Sequence, residues 1–291
     1  MMVALAGFSA GAANPMVVDL WEKGKMPYDN QETRAEEINE LGQTRYVSNP
    51  QLYIYTPSNF GIRKEANAGV ALVSCPGGGY SMESVNAAND LADWYTSQGI
   101  TFAVLKYRMP NGGHYDATMA DVDKAMRIMR EFAAEHDIEK VGIMGASAGG
   151  HLASTQATHY KDSITRPDFQ VLFYPVITLD PSYTHKGTRL KWLGKNPEAG
   201  LEEKYSNHKQ VTADTPPAII LGCYDDKVVP IQNSIDYFMA LRKNNVQAAM
   251  YIYPEGDHGW GHIHSIRYKK DWHDDLASWL SKEVISKVAG K

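Results

Sequence analysis

Short runs of mostly apolar residues, many of them β-branched, recur along this chain. Residues 70–75 (VALVSC), 100–107, 140–144, 171–176, 218–221 and 248–253 are the clearest. A strand reads this way when both faces of its sheet are covered, the usual condition of a parallel sheet. Residues 52–55 (LYIY) alternate instead, as an early antiparallel strand does. Helical periodicity fills the gaps. Met119, Val122, Ala125, Met126, Met129 and Phe132 recur at three and four residues and make one apolar stripe, which is core packing and not a cofactor box. Residues 231–242 and 272–284 read as two further helices. Strands alternating with helices predict an α/β fold, a mostly parallel central sheet with helices on both faces. No repeat or linker divides the chain, so residues 14–291 are expected to form a single domain. Residues 177–215 are polar, rich in Tyr, Lys and Pro, and fit no strand. They are expected as a surface insertion over the C-terminal edge of the sheet, where such folds place their ligand sites.

Composition narrows the function classes. Hydrophobic residues make up 43% and charged ones 22%, which excludes a disordered or fibrous chain. Basic residues number 29 against 34 acidic ones, a formal net charge of −5. That balance leaves no electrostatic footprint for nucleic acid and no polybasic cluster for an anionic membrane. No apolar run reaches the ~20 residues that span a bilayer. Cys75 and Cys223 end different strands, too far apart for a disulfide, and are expected as buried free thiols. Residues 1–13 are small and apolar, and Ala10-Gly11-Ala12 fits the small-x-small pattern of a signal-peptidase site. They read as the remnant of a signal peptide and favour a secreted or periplasmic location.

Chemistry concentrates at three glycine-rich turns. Gly145-Ala146-Ser147-Ala148-Gly149 is a G-x-S-x-G motif between the run 140–144 and a helix start at Gly150-His151-Leu152. In that strand–turn–helix setting the serine sits on a sharp, strained turn that tolerates only small neighbours, with its hydroxyl above the sheet. Pro76-Gly77-Gly78-Gly79-Tyr80 directly follows another strand. It resembles the H-G-G-G oxyanion loop of lipases and esterases, with Pro76 in place of the histidine. Gly78 and Gly79, with Ala148 as the second arm, are the candidate backbone donors to an oxyanion. A phosphate-cradling loop is excluded, because neither the P-loop Lys-Ser/Thr nor the G-x-G-x-x-G spacing is present.

A serine hydroxyl needs a base, and the base an orienting acid. Leu221-Gly222-Cys223-Tyr224-Asp225-Asp226 sets two carboxylates just past a strand, and Glu255-Gly256-Asp257-His258-Gly259-Trp260 sets a histidine after the next. The chain order serine, acid, histidine is the one found with this elbow. Either Asp225 or Asp226 can be the acid, and a helix N-cap is the alternative reading of one of the pair. His262-x-His264 could supply two metal ligands, but no third ligand accompanies them and catalytic zinc needs three, so no metal site is expected. His151 is expected to pack against the Gly77–Gly79 loop. His114, His136, His159, His185, His208 and His273 fall in polar surroundings and are expected to be solvated.

These residues together resemble the α/β-hydrolase carbohydrate esterases, the acetyl xylan esterases and feruloyl-esterase-like (BD-FAE type) domains. The resemblance runs over residues 45–285. It rests on the 76–80 loop, the G-x-S-A-G-G-H-L-A run at 145–153, Tyr174-Pro175-Val176-Ile177, the Asp226 segment and residues 254–259. It implies an α/β-hydrolase fold and a serine carboxylesterase without cofactor, removing acetyl groups from xylan or xylo-oligosaccharides. The catalytic residues implied are Ser147, Asp226 and His258. Asp226 is preferred over Asp225 because D-x-x-V-P is the spacing of related hydrolases. Tyr80 would flank the site as a substrate-binding residue. Feruloyl esterase, general short-chain carboxylesterase and formamidase activities use the same triad, and an inactive glycan-binding protein is the alternative of another class. Seventeen Tyr and 6 Trp against 7 Phe suit stacking on sugars. Tyr183, Trp192 and Tyr205 in the insertion, and Trp260 two residues past His258, are the candidates for that contact. The expected partner is thus an acetylated polysaccharide or oligosaccharide, not nucleic acid or membrane.

Overall fold

The computed structural model describes residues 14–58, 67–89, 91–260 and 266–288. In chain order the strands are β1 (Met16–Asp19), β2 (Glu37–Ile38), β3 (Thr44–Arg45), β4 (Gln51–Tyr55), β5 (Val70–Cys75), β6 (Thr101–Lys106), β7 (Lys140–Ala146), β8 (Gln170–Phe173), β9 (Ala218–Cys223) and β10 (Ala248–Tyr253). The helices are α1 (Val85–Asn89), α2 (Ala92–Ser97), α3 (Tyr115–Glu135), α4 (Ala148–His159), α5 (Lys186–Leu193), α6 (Leu201–Lys204), α7 (Gln232–Lys243) and α8 (Lys269–Trp279). Eight strands form one sheet in the order β1-β4-β6-β5-β7-β8-β9-β10, while β2 and β3 pair apart.

β1 runs antiparallel to β4 and β4 antiparallel to β6; every later pairing is parallel. β5, β6, β8 and β9 are buried at every position, as their mostly apolar sequences require, and the polar Ser74, Thr101, Lys106 and Gln170 among them are buried too. The cover is two-sided. On one face α3, α4 and α7 contribute Met126, Leu152 and Tyr237 to the core. On the other, α1, α2 and α8 contribute Ala88, Tyr95 and Trp272. The stripe on α3 is core as expected, with Val122, Ala125, Met126 and Met129 fully buried. Cys75 and Cys223 are free, buried thiols.

Three features depart from the sequence reading. β8 ends at Phe173, because Tyr174 takes φ 34° and turns the chain out of the sheet. β1 is an edge strand, largely exposed, so its sequence MVVD carries no burial pattern. The segment 177–215 contains no strand, but it is no loose cover: Ile177, Leu179, Trp192, Leu193 and Tyr205 are buried in the core. Asn233 of α7 accepts the backbone N–H groups of Ile177 and Thr178, and Asn207 donates to the His151 carbonyl and to Ser154 of α4. Residues 1–13 and the His262-x-His264 pair lie outside the described residues. Among the described residues no helix is long and apolar enough to cross a membrane.

Candidate active site

Parallel strands bring their C-terminal ends to one edge, and the three glycine-rich turns meet there. The β7–α4 turn holds Ser147 at φ 55°, ψ −123°, a conformation rarely adopted by a residue with a side chain. Backbone bonds on both sides fix it: its N–H donates to the Phe173 carbonyl, and its own carbonyl accepts from His151 and Val176. Gly149 is required by close approach, since a Cβ there would overlap the carbonyl oxygens of Cys75 and Pro76. The elbow is thus pressed onto the 76–80 loop. Tyr80, Tyr174 and Asp257 also have positive φ, so backbone strain gathers around this edge.

Ser147, His258 and Asp226 form one hydrogen-bonded chain. Ser147 Oγ lies 2.8 Å from His258 Nε2, and His258 Nδ1 lies 2.8 Å from Asp226 Oδ2. A carboxylate oxygen can only accept from the ring, so the neutral imidazole carries its proton on Nδ1 and presents the Nε2 lone pair to the serine. Asp226 is held in place by the backbone N–H groups of Val228 and Val229, both 2.8 Å from Oδ1. Its side chain is 1% exposed and that of His258 14%. The Tyr174 ring packs edge-on against the imidazole at 4.6 Å. Of the two carboxylates, then, Asp226 faces His258. Asp225 instead accepts the backbone N–H of Asp257 at 2.9 Å, a bond that holds its carboxyl below its ordinary range and shapes the turn that carries His258.

The 76–80 loop stands across from the elbow. A Cβ on Gly77 would lie 3.2 Å from the Ser147 Cβ. Gly78 takes φ 140°, and a Cβ there would run into the Met82 carbonyl. The loop closes through its own carbonyls: Gly78 accepts from Ser81 and Met82, and Gly77 from Ser84. The N–H groups of Gly78, Gly79 and Ala148 donate to no acceptor among the described residues. Ala148 opens α4, so its N–H also carries the positive end of the helix dipole. The arrangement offers an activated hydroxyl beside unengaged backbone donors, the requirements of acyl transfer.

Two expected substrate contacts are corrected. Tyr80 is fully buried behind the loop, its hydroxyl 3.0 Å from His151 Nδ1 and its ring against Trp192 and Tyr107. Trp260 is 1% exposed, enclosed by Phe173, Tyr174, Tyr253 and Trp272. Neither presents a face to a sugar; both support the turns that carry the site. Trp192 and Tyr205 are buried likewise, and the Tyr183 hydroxyl is engaged by Asp236. Composition counts aromatic rings but does not say which face of an element they occupy.

His151 touches the oxyanion loop as expected, through Tyr80. Its Nε2 donates to the Tyr205 carbonyl at 2.9 Å, and burial pushes its pKa down to about 4. Two residues escaped the sequence reading. Glu83 is fully buried beside the loop, its Oε1 accepting the Tyr107 N–H, and burial raises its carboxyl well above the ordinary range. His185, expected to be solvated, caps α5 and lies against Gly79. A lone Glu or His in a polar stretch carries no signal for either place. Among the described residues no three His, Cys, Asp or Glu side chains converge as a metal site.

Comparison with known proteins agrees with this architecture. The BD-FAE family pattern matches residues 52–241, more than half of the chain. An acetylxylan esterase of Xylanibacter ruminicola is 40% identical over 223 residues, covering 74% of this chain and 46% of that protein. The endo-1,4-beta-xylanase B of Butyrivibrio fibrisolvens is 35% identical over 205 residues, 63% of this chain and 31% of the other. The chain therefore spans less than half the length of these curated relatives. The crystal structure of an acetyl ester-xyloside bifunctional hydrolase from Caldicellulosiruptor lactoaceticus superposes with a TM-score of 0.76 at 30% identity, covering 94% of this chain and 98% of that one. With this fold and these similarities, the chain belongs to the BD-FAE family and has the α/β-hydrolase fold.

Proposed function

We propose that the protein is a serine carboxylesterase that removes acetyl groups from xylan or xylo-oligosaccharides through an acyl-enzyme. The observation that carries this reading is the unbroken relay from Ser147 Oγ through His258 to Asp226, facing a glycine loop with unengaged N–H groups. Ser147 Oγ attacks the acetyl carbonyl carbon while His258 Nε2 takes its proton. The carbonyl oxygen, now negative, is held by the N–H groups of Gly78, Gly79 and Ala148. Loss of one donor of this kind raises the barrier by about 3 to 4 kcal/mol. Asp226 stabilises the imidazolium and holds the ring orientation. The intermediate collapses, the sugar oxygen leaves with the proton from His258, and water clears the acetyl-serine by the same steps.

Support for the acyl group and sugar comes from the relatives, an acetylxylan esterase and an acetyl ester-xyloside hydrolase among them. The location we propose is extracytoplasmic, on the strength of residues 1–13 in the sequence. Turnover of acetylated and feruloylated xylo-oligosaccharides by the same preparation tests the substrate. Preferential release of acetate is expected; faster release of ferulate, or of neither acid while a simple aryl acetate is cleaved, would redirect the assignment.

A further inference from the structure

His185 is the N-cap of α5, with φ −70° and ψ 105°. Its Nδ1 accepts the backbone N–H of Thr188 at 3.2 Å and lies 2.8 Å from the Thr188 hydroxyl. A backbone N–H can only donate, so Nδ1 keeps its lone pair and the neutral ring carries its proton on Nε2. Burial, and after it the nearby His258, holds the pKa of His185 below its ordinary value, which keeps the ring neutral at neutral pH. Nε2–H has no acceptor among the described residues, and it is not sealed inside the protein.

The place of this donor matters. The ring lies against the oxyanion loop: a Cβ on Gly79 would sit 3.5 Å from its Cε1. It also stands close enough to His258 and Asp226 to feel their charges. In ester cleavage the acyl oxygen turns to the oxyanion donors, and the leaving oxygen turns to His258, which protonates it. A donor beside both Gly79 and His258 borders the place where the acyl oxygen and the leaving alcohol oxygen part.

We propose that His185 is a specificity-determining residue, donating its Nε2–H to a hydroxyl or ring oxygen of the sugar alcohol. The proposal rests on the esterase reading above and adds a reason for a pyranose over a plain alcohol. A site that presents an unpaired donor to the substrate discriminates against substrates that leave it unpaired.

The test compares acetylated xylo-oligosaccharides with 4-nitrophenyl acetate, whose leaving group has neither a hydroxyl nor a ring oxygen. His185→Asn keeps a favoured cap for α5 but is too short to reach the cleft. His185→Gln keeps an N–H donor at that reach. For His185→Asn, kcat/KM on the sugar ester should fall about tenfold, the scale of one hydrogen bond, with the aryl ester changed less than about twofold. His185→Gln should recover most of the loss on the sugar ester. Thermal unfolding of each variant checks that α5 stays folded. Equal losses on both esters would make His185 only a support for the loop, and no loss on either would remove it from the substrate; either result overturns the proposal. A wild type that cleaves the aryl ester but releases no acetate from the sugar overturns the substrate assignment, and this proposal with it.

Discussion

His151 makes the stability of this protein depend on pH in a calculable way. The ring is fully buried between the Tyr80 hydroxyl and the Tyr205 carbonyl, and it ties the oxyanion loop to the 177–215 segment. In the unfolded chain it titrates at its ordinary 6.5; in the fold, burial brings it to about 4. Between those values the unfolded state binds more protons than the folded one. His151 therefore costs nothing above pH 6.5, and stability is lost as the pH falls towards 4. At about 1.4 kcal/mol per pKa unit the loss reaches about 3 kcal/mol below pH 4 and about 2 kcal/mol at pH 5. His151→Gln keeps one acceptor and one donor without a titrating group. Urea unfolding at pH 7 and pH 5, followed by tryptophan fluorescence, gives the comparison. On that step wild type should lose about 2 kcal/mol more than His151→Gln. His159, His185 and His208, whose pKa values are also lowered by burial, act in both proteins and drop out of the difference. Parallel pH dependences in the two proteins would mean that burial of His151 does not set this loss of stability.

The two carboxylates at the end of β9 should separate sharply: Asp226→Asn should lower kcat by about 10⁴, while Asp225→Asn, whose amide oxygen can still accept the Asp257 N–H, should stay within about threefold. Steady-state kinetics decides it, and the reverse ranking would move the triad acid to Asp225. Gly78→Ala should lower kcat by about 10² or more, because its Cβ meets the Met82 carbonyl and the loop must shift. Gly79→Ala, at φ 63° with its nearest contact at 3.5 Å, should cost only about 1 to 2 kcal/mol of stability. Equal activity of these two variants would take Gly78 out of the oxyanion site. Trp260→Ala should cost about 3 to 5 kcal/mol in denaturant unfolding, as a large buried ring does; full stability with a raised KM would return Trp260 to the substrate surface.

The sequence displayed the inner sheet because its strands are buried on both faces, so 70–75 and 218–221 are apolar at every position but Ser74. β1 was hidden for the opposite reason: an exposed edge strand has little to bury. Ser147, His258 and the Gly77–Gly79 loop were legible because strained turns and close approach allow few residue types, and those turns follow strands. The D-x-x-V-P spacing of related hydrolases pointed to Asp226 over Asp225 but gave no physical reason for the choice. The choice is made by the turn after β9, where Asp226 gathers two backbone N–H groups and His258. Tyr80 and Trp260 lie one and two residues from site residues in sequence but project behind the loops, since near neighbours on a turn point different ways. His185 meets the 76–80 loop only through the packing of a segment that has no strand to give it a register.

In the proposed mechanism Ser147 carries the acetyl group during turnover. Acetylated xylo-oligosaccharide mixed with enzyme, quenched in acid within the first turnovers and digested, should yield an acetylated peptide bearing Ser147. Ser147→Ala should give no such adduct and release acetate on the order of 10⁴ to 10⁶ times more slowly. Acetate release by Ser147→Ala at the wild-type rate, with no adduct on the wild-type peptide, would contradict the account.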